Sequence, residues 1–252
     1  VSAYPQSTTV GMVKSYVDVK GASANALAHY CGAHMVVVDM GINADMSDVP
    51  GLLHRKIAFG TKDITEGAAM SRAEAIHAIE AGIEIAENKI KEGYRVFTVG
   101  EMGIANTTAS ACILGAFNRW NAVEVTGRGT NISDARLLHK IEMVQKALDV
   151  NQPDPADGLD VLSKVGGFEF GCMTGVMLGA AANHCLTIID GFNSTASAFI
   201  AKALSEESVQ YLMASHLSLE QAHRKSLKVI GLTEYIDLDI RLGEAVGASI
   251  KK

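Results

Sequence analysis

Apolar residues along this chain follow two rhythms that alternate. Short runs rich in Val, Ile and Thr occur at Met35 to Asp39, Arg95 to Val99 and Leu186 to Asp190. Their near-continuous apolar character predicts strands buried on both faces. Between them the apolar positions shift to three-four spacing. Ile76, Ile79, Ile83, Ala86 and Ile90 form one such stripe. Ser71 with Glu74 makes a capping box at its start, and Gly93 is a stop at its end. A second helix is predicted after Ser133, through Leu137, Ile141, Val144 and Leu148. A third is predicted from Ser218, with Gln221 in the capping position, to Gly231.

Strand–helix alternation points to the α/β class, with a parallel sheet flanked by helices on both faces in three layers, Rossmann-like. The first 34 residues carry no strand run. They read as a helical segment, the remnant of a smaller helical part incomplete at the N-terminus, with residues 35–252 as the main α/β domain. The chain opens on Val1 within what reads as a loop entering a helix. Asn151 to Gly158, with two prolines, is the expected exposed connection. Neither an internal repeat nor a low-complexity tract is evident.

Composition narrows the functional classes. Apolar residues make up 48% and charged residues 20% of 252, enough for a substantial core. The net charge of −6 argues against tracking a nucleic-acid backbone, so a bound anion must be held locally. No signal peptide is visible. The longest apolar stretch, Cys172 to Ala182, is too short to span a bilayer. The cysteines Cys31, Cys112, Cys172 and Cys185 form no C-x-x-C pair and read as free thiols in a reducing cytoplasm. Cys31 and His34 could be half of a metal site, but no second half stands at ligand spacing.

Ligands of open parallel sheets collect at the carboxyl ends of strands. Two strand ends here are unusual. After Val99 comes Gly100-Glu101-Met102-Gly103-Ile104-Ala105-Asn106-Thr107-Thr108; after Ile189 comes Asp190-Gly191-Phe192-Asn193-Ser194-Thr195. Each is a glycine turn followed by polar residues opening a helix of small residues. Such a turn presents unpaired N–H groups to an anion; its simpler reading is that Asn, Ser and Thr cap their helices. There is no G-x-x-x-x-G-K-[ST] loop, and Ile132 breaks the dinucleotide fingerprint begun by Gly127-Arg128-Gly129. Arg128 and Lys140 could neutralise a phosphate. Glu101 and Glu244 each follow a glycine, where a carboxylate can serve as a general base. His216 and His223 could share a face, and Ser194 lacks a nucleophile elbow.

These segments resemble the nicotinate-nucleotide–dimethylbenzimidazole phosphoribosyltransferase family, along nearly the whole chain. The likeness runs from Val1-Ser2-Ala3-Tyr4-Pro5-Gln6 through Val36-Val37-Val38-Asp39, both glycine turns and Gly127-Arg128-Gly129-Thr130. It continues through Lys164-Val165-Gly166-Gly167-Phe168-Glu169 and Ala214-Ser215-His216 to Arg241-Leu242-Gly243-Glu244. The resemblance implies transfer of phosphoribose from nicotinate mononucleotide to 5,6-dimethylbenzimidazole or a similar base, giving an α-ribotide and nicotinate. It implies Glu244 as catalytic base and Glu101 as a second pocket glutamate, with Gly103, Lys140, Gly191 and Ser218 binding phosphate. It also implies a cytoplasmic homodimer without metal or cofactor, acting on small molecules and not on nucleic acid or membranes.

Three departures accompany the resemblance. The family carries a further N-terminal segment with an Asp-His-Gly stretch. Its final motif usually reads Gly-Glu-Gly-Thr-Gly, whereas Ala245-Val246-Gly247 follow Glu244 here. A glutamine common after the opening motif is replaced near Gly11. The alternatives are a degenerate homologue that binds nucleotide or α-ribotide without turnover, and a transferase using another base.

Overall fold

The computed structural model describes Ser2, residues 4–240 and residues 244–250. Val1 and Ala3 of the opening motif, and Arg241, Leu242 and Gly243 of the final one, lie outside the described residues. The strands are β1 (Val37–Asp39), β2 (Leu52–His54), β3 (Val96–Val99), β4 (Leu186–Ile189), β5 (Leu212–Ala214), β6 (His216–Ser218) and β7 (Ile236–Ile240). The helices are α1 (Thr8–Lys14), α2 (Ser23–Cys31), α3 (Arg72–Lys91), α4 (Thr107–Asn118), α5 (Ala122–Val125), α6 (Asp134–Asn151), α7 (Gly158–Val165), α8 (Phe168–Ala182), α9 (Phe192–Leu204), α10 (His223–Ile230) and α11 (Val246–Ile250).

Every described strand pairing is parallel, as the alternating pattern requires. β3, β4 and β5 lie side by side, while β1–β2 and β6–β7 form separate pairs. Ser215 joins β5 to β6. Its N–H donates to Ile189 O (3.2 Å), and its carbonyl accepts from Tyr235 N–H (3.0 Å). The run 212–218 thus pairs with β4 through its first half and with β7 through its second. A smaller apolar cluster ties the N-terminal helices, through Val13, Tyr16 and Ala24, to Met46, Val49 and Leu52.

The capping box of α3 forms as read: Ser71 Oγ accepts from Glu74 N–H, and the Glu74 carboxylate accepts from Ser71 N–H at 2.7 Å. The buried face of α3 keeps Ile79 and Ala86 of the predicted stripe and adds Ala75, Ala78, Ala81 and Gly82, whereas Ile76 is exposed. The reason is the partner. α8 is a nearly all-buried helix of small residues, and the two backbones meet at Gly82 and Gly175. Small side chains let the axes approach closely, and of the isoleucines Ile79 stays in the core while Ile76 is left exposed.

The helix expected from Ser218 begins only at His223, after Ala222. Ser218 instead ends strand β6, and its N–H donates to His223 Nδ1 (2.9 Å). Gln221 donates to Val123 O (3.1 Å) and caps nothing. Gly231, with φ 90°, ends the helix as read. Between α6 and α7 the connection is partly exposed, but Asn151 and Gly158 at its ends are buried.

A Cβ at Gly82 would overlap Cys172 O, and one at Gly175 would overlap Ile79 O. Neither backbone can retreat without opening the helix pair. Gly82→Ala and Gly175→Ala are each expected to destabilise by about 3 kcal/mol or more, read from urea midpoints at unchanged slope.

Candidate functional site

Because β3 and β4 pair in register to Val99↔Ile189, the two glycine turns leave the sheet side by side. Neither asparagine caps its helix, contrary to the simpler reading. Asn106 Nδ2 donates to Glu101 Oε2 and, at 3.3 Å, to Glu169 Oε1. Asn193 Nδ2 donates to Glu101 Oε1 (2.7 Å) and to Asn106 Oδ1 (2.9 Å), while its own Oδ1 accepts from Ser110 Oγ (2.5 Å). Both oxygens of Glu101 are therefore held by amides. Burial pushes the Glu101 carboxyl above the usual carboxylate range, the two amides oppose this, and the Glu244 charge adds to it. Glu169, in the first turn of α8, is raised to about 7, mainly by burial. The Glu101 charge adds to the rise, and the Asn106 amide opposes it.

The second element is a pocket of about 510 Å³ around Lys140. Gly103, Lys140, Gly191 and Ser218, the residues singled out in the sequence, all line it. Lys140 is 3% exposed and donates to Thr107 Oγ1 (2.8 Å) and Gly127 O (3.1 Å). Burial lowers its pKa, and the neighbouring Glu220 works the other way. Glu220 accepts from Gly129 N–H (2.7 Å) and packs so closely on Gly127 that a Cβ there would overlap it. A hydrogen-bond chain joins the far side. Ser218 N–H donates to His223 Nδ1, His223 Nε2 meets Thr195 Oγ1 (2.9 Å), and that hydroxyl donates to Gly191 O (2.9 Å). The chain assigns the His223 tautomer: Nδ1 accepts, so Nε2 carries the proton. His216 and His223 are both buried with centroids 6.4 Å apart, and burial pushes His223 down to about 3. Arg128 lines the pocket as well, and its guanidinium is engaged by Asp134 and by Ile132 O (2.9 Å).

The third element is the turn carrying Glu244. Asp190, 3% exposed at the end of β4, accepts from Ala248 N–H (3.0 Å), and the N–H groups of Gly247 and Ala245 also face it. Burial still raises its carboxyl to about 7. Two glycines close the fit. A Cβ at Gly100 would overlap Ala245 N, and one at Gly247 would overlap the His216 ring. Glu244 (φ 67°) and Ala245 (φ 59°) are both left-handed. Ala245 thus takes, with a Cβ, a conformation that glycine adopts freely.

A larger, mostly apolar cavity of about 1480 Å³ runs along β1 and β3. Met35, Met40, Met102, Met143 and Met173 contribute to its wall. Glu101 and Glu244 line both this cavity and the pocket around Lys140, so the two glutamates stand where the cavities meet. Sequence reading missed Asn106 and Asn193 as holders of Glu101, and it missed Glu169, Asp190, Glu220 and Tyr16. Among the described residues no group of three or more His, Cys, Asp or Glu side chains is placed to hold a metal ion. Cys31 instead donates to Ser249 O (2.8 Å).

Two expectations follow from this geometry. Ala245→Gly relieves the left-handed strain and is expected to stabilise by about 1 kcal/mol in urea unfolding. For Glu169 the folded pKa, about 7, lies above the unfolded value of 4.5, so its contribution is fully present below pH 4.5 and is lost as pH rises through 7. Glu169→Gln is therefore expected to match the parent near pH 4 and to exceed it by about 2 kcal/mol at pH 8, measured by denaturation at both pH values.

The phosphoribosyltransferase family model matches residues 1–251. A nicotinate-nucleotide–dimethylbenzimidazole phosphoribosyltransferase from Geobacter metallireducens is 47% identical over 250 residues, covering 99% of this chain and 70% of that protein. The enzyme of the same name from Chloroflexus aggregans is 47% identical over 248 residues, 98% of this chain and 70% of the relative. The crystal structure of CobT from Thermus thermophilus superposes with a TM-score of 0.94 at 37% identity, covering 99% of this chain and 74% of that one. The chain belongs to the nicotinate-nucleotide–dimethylbenzimidazole phosphoribosyltransferase family.

Proposed function

We propose that this protein transfers the phosphoribosyl group of nicotinate mononucleotide to 5,6-dimethylbenzimidazole or a similar base, with Glu244 as the base and Glu101 as its pocket partner. The observation that carries the reading is the position of these two carboxylates, shared by the apolar cavity and the pocket around Lys140. The ester phosphate sits against Lys140, the Gly103 and Gly191 turns and Ser218. The acceptor ring lies in the apolar cavity. One ring nitrogen of the acceptor attacks the anomeric carbon as the bond to the pyridinium nitrogen breaks. The departing electron pair neutralises the pyridinium and releases nicotinate. The proton on the other acceptor nitrogen passes to Glu244. Attack from the face opposite the leaving group inverts the centre and gives the α-ribotide.

The charges suit this chemistry. A cationic pyridinium, and positive charge growing at the anomeric carbon, are favoured by a cleft holding Glu101 and Glu244. Proton removal by a placed carboxylate supplies roughly 10²–10⁴-fold, and holding the two rings on opposite faces of the ribose supplies much of the rest. Buried free thiols at Cys112, Cys172 and Cys185 suit a reducing compartment, and the reaction is assigned to the cytoplasm. Among the described residues no helix is long and apolar enough to cross a membrane. The homodimer implied by the family resemblance completes the proposal.

The test is nicotinate release from nicotinate mononucleotide in the presence of dimethylbenzimidazole. Glu244→Gln is expected to lower kcat about 10²–10⁴-fold with KM for the nucleotide little changed. Tight nucleotide binding by the parent protein without any release would overturn the assignment.

A further inference from the structure

Tyr16 stands on a single turn of π-helix, Ser15–Val19, that prolongs α1 and ends at left-handed Lys20. π turns are rare and gather at functional sites. The Tyr16 ring is 6% exposed, inside the smaller apolar cluster. Its hydroxyl is buried and makes no close hydrogen bond, with the Glu244 side chain as its near polar neighbour. A buried phenol left unpaired costs about 1–3 kcal/mol, so phenylalanine would be the better core residue unless something uses the oxygen. Tyr16 lines the apolar cavity together with Glu244 and Glu101. Burial first, then hydrogen bonding to the Glu244 side chain, then the Glu244 and Glu101 charges hold the phenol proton on well beyond the ordinary tyrosine range.

The other groups around Glu244 are already engaged. Glu101 is held by Asn106 and Asn193, and Asp190 by the N–H groups of the 245–248 turn. The His216 ring lies against Gly247, with Nδ1 3.2 Å from Ser215 Oγ.

We propose that Tyr16 is the positioning residue for Glu244: with acceptor bound, its hydroxyl donates to one oxygen of the Glu244 carboxylate and leaves the other to take the acceptor proton. The inference rests on Glu244 being the base. It accounts for an otherwise costly hydroxyl, and for a second carboxylate, Glu101, being tolerated so close. A donor on one oxygen fixes the carboxylate against the repulsion of its neighbour.

The experiment compares the parent protein, Tyr16→Phe and Glu244→Gln by nicotinate release with dimethylbenzimidazole as acceptor, across pH, alongside thermal midpoints. Tyr16→Phe is expected to keep or raise the midpoint, because it deletes an unpaired buried hydroxyl. Its kcat is expected to fall about tenfold, the worth of one charge-assisted hydrogen bond, at unchanged KM for the nucleotide. The acid limb of its kcat/KM profile moves to higher pH. An inactive Glu244→Gln beside a Tyr16→Phe with parental kcat and an unmoved limb overturns this inference alone. So does a Tyr16→Phe whose only change is a lower midpoint. A Glu244→Gln that releases nicotinate at the parental rate overturns the base assignment, and this inference with it.

Discussion

Glu244 is held in place by one buried carboxylate that belongs to another part of the chain. Asp190, at the end of the central strand β4, gathers N–H groups from residues 245–248. That attachment brings the end of the described chain over the carboxyl edge of the sheet. Gly100 and Gly247 permit it by leaving room for backbone on one side and for the His216 ring on the other. Burying an acid at this depth is unfavourable, as its raised pKa records, and only donors from the turn offset the loss of water. The site is thus a consequence of sheet topology. The strand that begins the second glycine turn also anchors the residue that faces it.

The charges of the site are separated by distance and by kind. On one side Lys140 is buried, with neutral oxygens as direct partners and Glu220 nearby. On the other side Glu101, Glu169 and Asp190 all have raised affinities for protons. A ligand with an anionic ester at one end and a cationic ring at the other is complementary to this arrangement. The asparagines are what make the acidic half tolerable. By giving their amides to Glu101 they keep one carboxylate oriented among several.

Much of this could be read from local pattern, and the rest depended on contacts far apart in sequence. The runs at 35–39, 95–99 and 186–190 contain β1, β3 and β4, but of the three only β4 is nearly fully buried; β3 has Val96 and Thr98 exposed, so the expectation of burial on both faces does not hold for it. The strands at 52–54, 212–214 and 216–218 have three residues each, too few for a period to show. On α3 the stripe placed Ile79 and Ala86 in the core as found, but the close approach of α8 filled the rest of that face with alanine and glycine and left Ile76 outside. Ser218 and Gln221 imitated a capping box because strand-end serines and helix-start serines look alike in sequence. Glu101, Gly103, Lys140, Gly191, Ser218 and Glu244 converge because the motif resemblance carried three-dimensional information. Asn106 and Asn193 had only the local meaning of caps until the turns were seen side by side.

The methionine-lined cavity has a further consequence for selectivity. Its volume exceeds the range of about 300–1,000 Å³ usual for small-molecule pockets, and unbranched thioether side chains rearrange readily around whatever fills them. A yielding wall makes a poor sieve. Discrimination among ligands of such a cavity therefore falls to its fixed polar groups, such as the amide-held Glu101. Side-chain changes along the lining can retune which rings are welcome while leaving the chemistry untouched.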